Sequence, residues 1–155
     1  MRLCFMGLRR IIWAFSLGMS MALAQSHARA DDEHALTGLK SFKLVIENLD
    51  SEAKRCGVTL SSLDTSLRSV FGQSRIQIVN AEHDDGYIYL DVLAQRQCLV
   101  RVDLEVHTPV TVIRSHNFAI ATIWSIRGIV GSNHLTEMVE GYAKQLVNDW
   151  NDVNQ

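Results

Sequence analysis

Two neighbouring runs in the middle of the chain alternate apolar and polar residues, the pattern of strands that bury one face. They are Tyr87–Ala94 and Cys98–His107, and only residues 95–97 separate them. A connection this short joins two strands as an antiparallel hairpin. Because successive side chains of a strand point to opposite faces, each run has an apolar face and a polar face. The pair therefore predicts a sheet with one buried side.

The length of the connection also predicts the register of this hairpin. A three-residue loop sets Asp91 opposite Arg101, which is a favourable cross-strand charge pair. A two-residue loop would set Asp91 against Val100 and mix the two faces. With three residues, the apolar face pairs Ala94 with Cys98, Val92 with Val100, Leu90 with Val102, and Ile88 with Leu104.

Two helices and three more strands are predicted around this hairpin. A helical stripe of Leu60, Leu63, Leu67, Val70 and Phe71 follows Thr59, a good N-cap, and Gly72 ends it. A second helix begins near Asn133, after the glycine-rich segment 128–132 that we interpret as a loop. Asp50–Arg55 is predicted to be a polar connection. The remaining strands are Ser41–Asn48, Arg75–Asn80 and Phe118–Ile126, the last with Phe118, Ile120, Thr122 and Trp124 on one face.

We summarise the order as β-α-β-β-β-α, one strand fewer than the five named above, and it is typical of an α+β two-layer sandwich. We predict one domain over residues 41–155, with a mostly antiparallel sheet and both helices on one face. The order of the strands within the sheet stays open, because the link from the first strand to the meander allows more than one arrangement. Residues 31–40 are expected to form a flexible acidic leader.

The first thirty residues have the three parts of a secretory signal peptide. Arg2, Arg9 and Arg10 supply a positive start, and residues 11–24 form an uncharged, largely apolar run. That run is shorter than the roughly twenty residues that a membrane-spanning helix needs. Small-x-small cleavage patterns end at Ala24 and at Ala30, and we favour cleavage after Ala30. The protein is then periplasmic or secreted.

Other interpretations of this segment stay open. Cleavage after Ala24 is the main alternative, and the pair Arg9-Arg10 also fits a twin-arginine signal, although its surroundings match that motif poorly. An uncleaved anchor is a further alternative. Cys4 precedes the apolar run, so it stands in the wrong place for a lipid-modified cysteine.

Cleavage after Ala30 changes the charge of the chain. The precursor has a net charge of −2, but the segment after Ala30 has eleven Lys and Arg against seventeen Asp and Glu, a net charge of −6. An acidic domain without a basic cluster argues against nucleic acid and anionic membranes as partners. We also expect no stable membrane insertion after cleavage.

Cleavage also leaves two of the three cysteines, Cys56 and Cys98. An even pair in an oxidising compartment predicts a disulfide bond. Two reduced buried cysteines, or a redox-active thiol, are the alternatives. The absence of a C-x-x-C spacing argues against redox chemistry.

The polar face of the sheet is the candidate binding site. Tyrosine, leucine and arginine on one exposed face resemble the composition of protein-binding surfaces. The alternative is a solvated sheet face with no partner. The candidate residues are Tyr87, Tyr89, Leu93, Leu99, Arg101, Glu105 and His107.

No catalytic motif, cofactor motif or metal-ligand spacing stands out, so we name no catalytic residue, cofactor or metal ligand. Among the histidines after Ala30, no two are spaced as paired ligands, and the His83-Asp84-Asp85 turn is a weak candidate for a metal. The leading hypothesis is a non-catalytic envelope module that binds a protein partner or itself. A small-ligand protein or small enzyme with a pocket between sheet and helices is the alternative, and a metal-handling protein is the second.

Overall fold

A computed structural model describes residues 34–80 and 84–155 of the chain. The predicted signal peptide, its two cleavage sites and His83 lie outside these residues. The described residues form one five-stranded sheet with helices packed on it. The elements are β1 (Ser41–Ile46), α1 (Ser51–Arg55), α2 (Leu60–Phe71), β2 (Gln77–Ile78), β3 (Gly86–Ala94), β4 (Leu99–Val112), β5 (Asn117–Gly131) and α3 (Leu135–Val153).

The strand order in the sheet is β2-β1-β3-β4-β5. β1 runs parallel to β2 and β3, whereas β3, β4 and β5 form an antiparallel meander. The predicted α+β class is confirmed, with a sheet that is mostly antiparallel. The open question of strand order is resolved because β1 lies between β2 and β3.

Helix α2 begins and ends at the caps that the sequence predicts. The hydroxyl of Thr59 accepts a hydrogen bond from the backbone N–H of Ser62 at 3.2 Å, and Gly72 is the C-cap. The predicted polar connection Asp50–Arg55 is wrong, because this segment contains α1. The Asp50 carboxylate accepts from the backbone N–H of Ala53, which caps the helix. A helix of five residues with one buried side chain has no apolar stripe to reveal it.

The core lies between the sheet and the helices α2 and α3. On the sheet, alternate residues of β3 and β4 are buried, as the alternation predicts. On the helices, the buried positions fall on one stripe of each. The members with almost no exposure include Leu63, Leu67, Phe71, Ile88, Leu90, Val100, Val102, Leu104, Val106, Val139, Ala143 and Leu146.

The packed part of the chain extends into the predicted acidic leader. Leu36 is fully buried in the core. The side-chain amide of Asn154 donates to the Leu36 carbonyl at 3.0 Å, and the Trp150 indole N–H donates to the Leu39 carbonyl at 2.6 Å. The segment from His34 onward is therefore attached to the end of α3, upstream of the predicted domain start at Ser41.

The predicted register of the central hairpin is wrong by two residues. Ala94 pairs with Val100 rather than with Cys98, and Asp91 lies opposite Asp103 rather than Arg101. The connection is longer than predicted because residues 95–99 leave the ladder in a tight turn. Gln97 and Cys98 both have left-handed backbone, with φ of 64° and 56°. A shift of two residues equals one full period of a strand, so every side chain stays on its predicted face.

A β-bulge divides β5 into two parts with different facing. Val106 pairs with Trp124, but the next residue, His107, pairs with Thr122, so one residue of β5 is left over. The extra residue reverses the facing of the strand beyond it. Trp124 is therefore buried while Phe118 is 85% exposed, although the sequence predicts one face for both. β5 also continues to Gly131, through most of the predicted glycine-rich loop.

Asp85 holds the starts of β1 and β3 together. Its carboxylate accepts hydrogen bonds from the backbone N–H groups of Lys40 at 2.7 Å and Ser41 at 2.8 Å. These two donors, Lys40 first, hold the pKa of Asp85 below its usual value, against a smaller opposing effect of burial. The folded state therefore favours the ionised carboxylate.

We expect Asp85→Asn to lower the free energy of unfolding at neutral pH by about 1–2 kcal/mol. Because the folded-state pKa lies below the unfolded value of about 4, the carboxylate stabilises the fold fully above that pH. This contribution is lost as the pH falls below 4 through the folded-state pKa. Urea denaturation at several pH values should show the two proteins converging in acid. Asp84→Asn is the control, and an equal gap at every pH would contradict the prediction.

Candidate binding surface

The seven predicted binding residues lie on β3 and β4, on the face of the sheet opposite the helices. Tyr87, Tyr89 and Leu93 alternate with the buried residues of β3. Leu99, Arg101, Glu105 and His107 alternate with those of β4. No helix of the described residues covers this side, which we call the outer face. The paired register brings the two strands' candidates side by side along it.

A network of charges occupies the centre of the outer face. Asp91 and Asp103 lie directly opposite each other, an arrangement that is destabilising for like charges on its own. Arg101 relieves it, because its guanidinium lies 3.3 Å from Asp91 and 2.9 Å from Asp103. Arg127 of β5 adds a contact of 3.5 Å to Asp103. The two arginines cover Asp103, which is only 8% exposed.

One end of the outer face holds Tyr89, Glu105 and His107. The His107 ring Nε2 lies 2.7 Å from a Glu105 carboxylate oxygen. The same ring stacks on Tyr89, with ring centroids 5.4 Å apart and an angle of 17° between the planes. These contacts hold the three side chains against the sheet. The group is thus a packed polar surface.

The other end of the outer face is apolar. Leu93 of β3 and Ile129 of β5 lie on either side of Arg101 in one row across the sheet. Leu99 begins β4 beside them. All three apolar side chains are exposed: Leu93 by 41%, Ile129 by 58% and Leu99 by 44%. We call Leu93, Leu99, Arg101 and Ile129 the apolar corner.

The sequence interpretation missed Arg127 and Ile129, because it ended the last strand at Ile126. The segment 128–132 contains two glycines and a serine, which are usual loop residues. Gly128 is in the strand for a packing reason: the Tyr142 side chain of α3 lies where a side chain at this position would be. Burial, with a further effect of Asp103, raises the pKa of Tyr142, so its hydroxyl is neutral at physiological pH.

A second surface was also missed. Beyond His107, β5 is the only neighbour of β4 among the residues that the structure describes, so residues 108–122 form a two-stranded hairpin, which we call the arm. All ten residues from Thr111 to Ile120 are exposed. Its large exposed apolar residues are Val112, Ile113, Phe118 and Ile120. The apolar alternation of Phe118–Ile126 suggested a strand with a buried face, but within residues 34–80 and 84–155 no third strand or helix covers the arm.

The layer between sheet and helices is closely packed in the described part of the chain. Leu90, Leu104 and Leu146 fill its centre and are at most 1% exposed. Buried polar groups here are partnered: the Trp124 indole N–H donates to the Asp149 carboxylate at 2.9 Å, and Gln145 donates to the same carboxylate. The geometry favours the outer face over this layer as a site.

The described residues contain no group of three or more His, Cys, Asp or Glu side chains placed to hold a metal ion. Of the candidate turn, Asp85 uses its carboxylate on the backbone of Lys40 and Ser41. Among these residues, no helix is both long and apolar enough to span a bilayer.

Comparison with known proteins adds little. No model of a protein family matches the chain, and no curated protein sequence matches it. Among solved structures, a minor lipoprotein from Acinetobacter baumannii is similar, with a TM-score of 0.40 and 13% sequence identity over 76% of this chain and 96% of that chain. We draw no functional conclusion from a likeness at this level.

Proposed function

We propose that this protein is a non-catalytic binding domain of the bacterial envelope that recognises a protein partner through the outer face of its sheet. The secretory pattern of the first thirty residues and the Cys56–Cys98 disulfide support an oxidising compartment outside the cytoplasm. The apolar corner is the observation on which the binding role rests. It combines three exposed apolar side chains with an arginine on a rigid sheet.

The physical argument is the contrast between the two ends of the outer face. At the polar end, His107 and Glu105 contact each other, and at the centre Arg101 contacts Asp91 and Asp103, so these charged groups gain less from a partner. At the apolar corner, no layer of the described residues covers Leu93, Leu99 and Ile129, and removing them from water is favourable by about 25 cal/mol per Å². An apolar centre with a polar rim is the usual anatomy of a protein interface. The expected partner therefore presents an apolar side chain to the corner.

The chain offers a matched pair of variants to test this proposal. Leu93 and Leu60 are both 41% exposed, but Leu60 begins α2, away from the outer face. Leu93→Glu faces Arg101 across the sheet, and Leu60→Glu lies at a helix N-terminus, so both acidic groups are tolerated. Tyr89→Glu is less suitable, because it would lie opposite Glu105 and lose the stacking on His107.

We expect the wild type and Leu60→Glu to retain the same partner on purification from the native envelope, and Leu93→Glu to lose it. Mass spectrometry identifies the partner, and binding of the purified pair gives the affinity. A loss of roughly tenfold or more in affinity is expected for Leu93→Glu, equivalent to about 1.4 kcal/mol. If Leu93→Glu folds and captures the same proteins with wild-type affinity, the proposal is wrong.

A further inference from the structure

The outer edge of β5 is exposed backbone. β5 is the last strand of the sheet, so one side of it carries N–H and C=O groups with no strand partner among the described residues. Exposed edges are usually protected by lysines, prolines, bulges or short length. β5 has fifteen residues, no proline, Arg127 as its one charged residue, and one bulge, opposite Val106 and His107. The opposite edge, β2, has only two residues.

The arm would also gain from a further strand. It extends β4 and β5 beyond the rest of the sheet. A two-stranded ribbon is stabilised by a third strand or a helix packed against it. In the arm, Phe118 is 85% exposed and Ile113 is 86% exposed. Both features are on or beside β5, so one added strand along β5 would supply what each lacks.

The distribution of charge indicates which molecule supplies the added strand. No Asp or Glu occurs between Glu105 and Glu137, a span that contains the arm and all of β5. The segment after Ala30 carries a net charge of −6, so two copies of the chain repel each other over most of their surface. This acid-free span is where two copies can approach without bringing carboxylates together.

The available area also fits a pair of copies. Ile113, Phe118 and Ile120 together expose roughly 450 Å², within the size range of the patches on monomers that often serve a function. Two arms therefore contribute about 900 Å², before the backbone edges are counted. Stable interfaces bury about 1,200–2,000 Å² in total. The arms thus supply most of the area that a specific dimer needs.

We infer that two copies of this chain pair through β5, antiparallel, about a two-fold axis at the bulge, between Ile123 and Trp124. This position sets outer-face residues opposite outer-face residues, with Phe118 of one copy opposite Ile129 of the other. The pairing joins two five-stranded sheets into one and places the arm of each copy beside the Ser125–Gly131 half of the other copy's β5. Each arm then gains its third strand. The two Arg127 side chains, each between three and four residues from the axis, are about 20 Å apart, so they do not oppose each other.

The surface next to β5 leaves room for the incoming strand. An open groove of about 470 Å³ runs between β5 and α3, and Ile126, Val130, Met138 and Tyr142 line it. The groove is on the helix side of the sheet, so Ala119 and Ala121 of the paired arm face it, whereas Phe118 and Ile120 lie on the outer side. The dimer uses the edge of the sheet and places the partner's arm beside Ile129, but it does not involve Leu93 of β3, so it is tested separately from the proposed outer-face function.

The test measures the oligomeric state of the mature, disulfide-bonded protein by sedimentation velocity from micromolar to millimolar concentration. We expect a dimer that dissociates on dilution. Thr122→Lys places a lysine on the exposed edge, and lysines at such edges prevent a further strand from pairing. It should weaken dimerisation roughly tenfold or more. Thr136→Lys, exposed on α3, makes the same charge change outside β5 and should leave dimerisation unchanged. Phe118→Ser should weaken it as well.

Hydrogen exchange gives an independent measurement on the wild type. Amides of β5 should become protected as the concentration rises, whereas those of β2 should not. A monomer at every concentration, or a dimer that Thr122→Lys leaves intact, would overturn the inference. So would binding of the monomer, through Phe118, to vesicles of phosphatidylglycerol and phosphatidylcholine. Leu93→Glu should still dimerise, which separates this result from the proposed outer-face function.

Discussion

Removing the disulfide bond between Cys56 and Cys98 should lower the free energy of unfolding by about 4 kcal/mol. The bond joins residues 42 apart in sequence, and cross-linking a loop of that size removes about this much entropy from the unfolded chain. It connects the C-cap of α1 to the turn between β3 and β4. For a domain with the usual stability of 5–15 kcal/mol, this is a large fraction.

The comparison is between the oxidised wild type and the double variant Cys56→Ser, Cys98→Ser, by urea denaturation. The double variant should unfold at a lower urea concentration and with a steeper dependence on urea, since an uncross-linked chain exposes more surface. A reducing agent should shift the wild type to the same curve and leave the double variant unchanged. A difference below about 1 kcal/mol would show that the bond is not a main source of stability.

Leu36→Ala should have the second large effect and lower the free energy of unfolding by about 2–4 kcal/mol. Leu36 is fully buried, and removing a buried leucine side chain loses its transfer free energy and leaves a cavity. Leu60→Ala is the matched control, because the same atoms are removed from a residue that is 41% exposed. It should cost less than about 1 kcal/mol.

Thermal and urea unfolding of both variants, with the disulfide intact, measure this difference. A result near zero for Leu36→Ala would mean that the segment from His34 to Lys40 does not contribute to the fold. It would support the expectation of a flexible leader instead. A large effect would place the domain start before Leu36.

The sequence predicted most of the elements because their signals are local. The alternation in β3 and β4, the stripes of α2 and α3, and the caps Thr59 and Gly72 depend on residues a few positions apart. The helix α1 escaped prediction, since five residues are too few to show a stripe. The end of β5 was not predicted either, because the two glycines in 128–131 are typical of a loop. The reason for Gly128, its contact with Tyr142 of α3, is visible only in the folded structure.

The sequence predicted which residues lie on the outer face but not the contacts among them. Its seven members are on the expected side of the sheet because facing repeats every two residues, so a register error of two leaves it unchanged. The contacts among them did change. Arg101 was expected opposite Asp91 and instead bridges Asp91 and Asp103, with Arg127 added from a strand thought to end earlier.

The sequence alone determined the alternation of buried and exposed positions, the helix ends, and the even pair of cysteines. These features follow from backbone geometry and from residue counts. The tertiary structure decided the strand order, the two-residue shift in register, the bulge opposite Val106 and His107, and the uncovered arm. These depend on a left-handed turn at Gln97 and Cys98, and on which strands gain a third neighbour. Contacts between elements that are distant in sequence leave no trace in a local pattern. The arm and the apolar corner are both formed by such contacts.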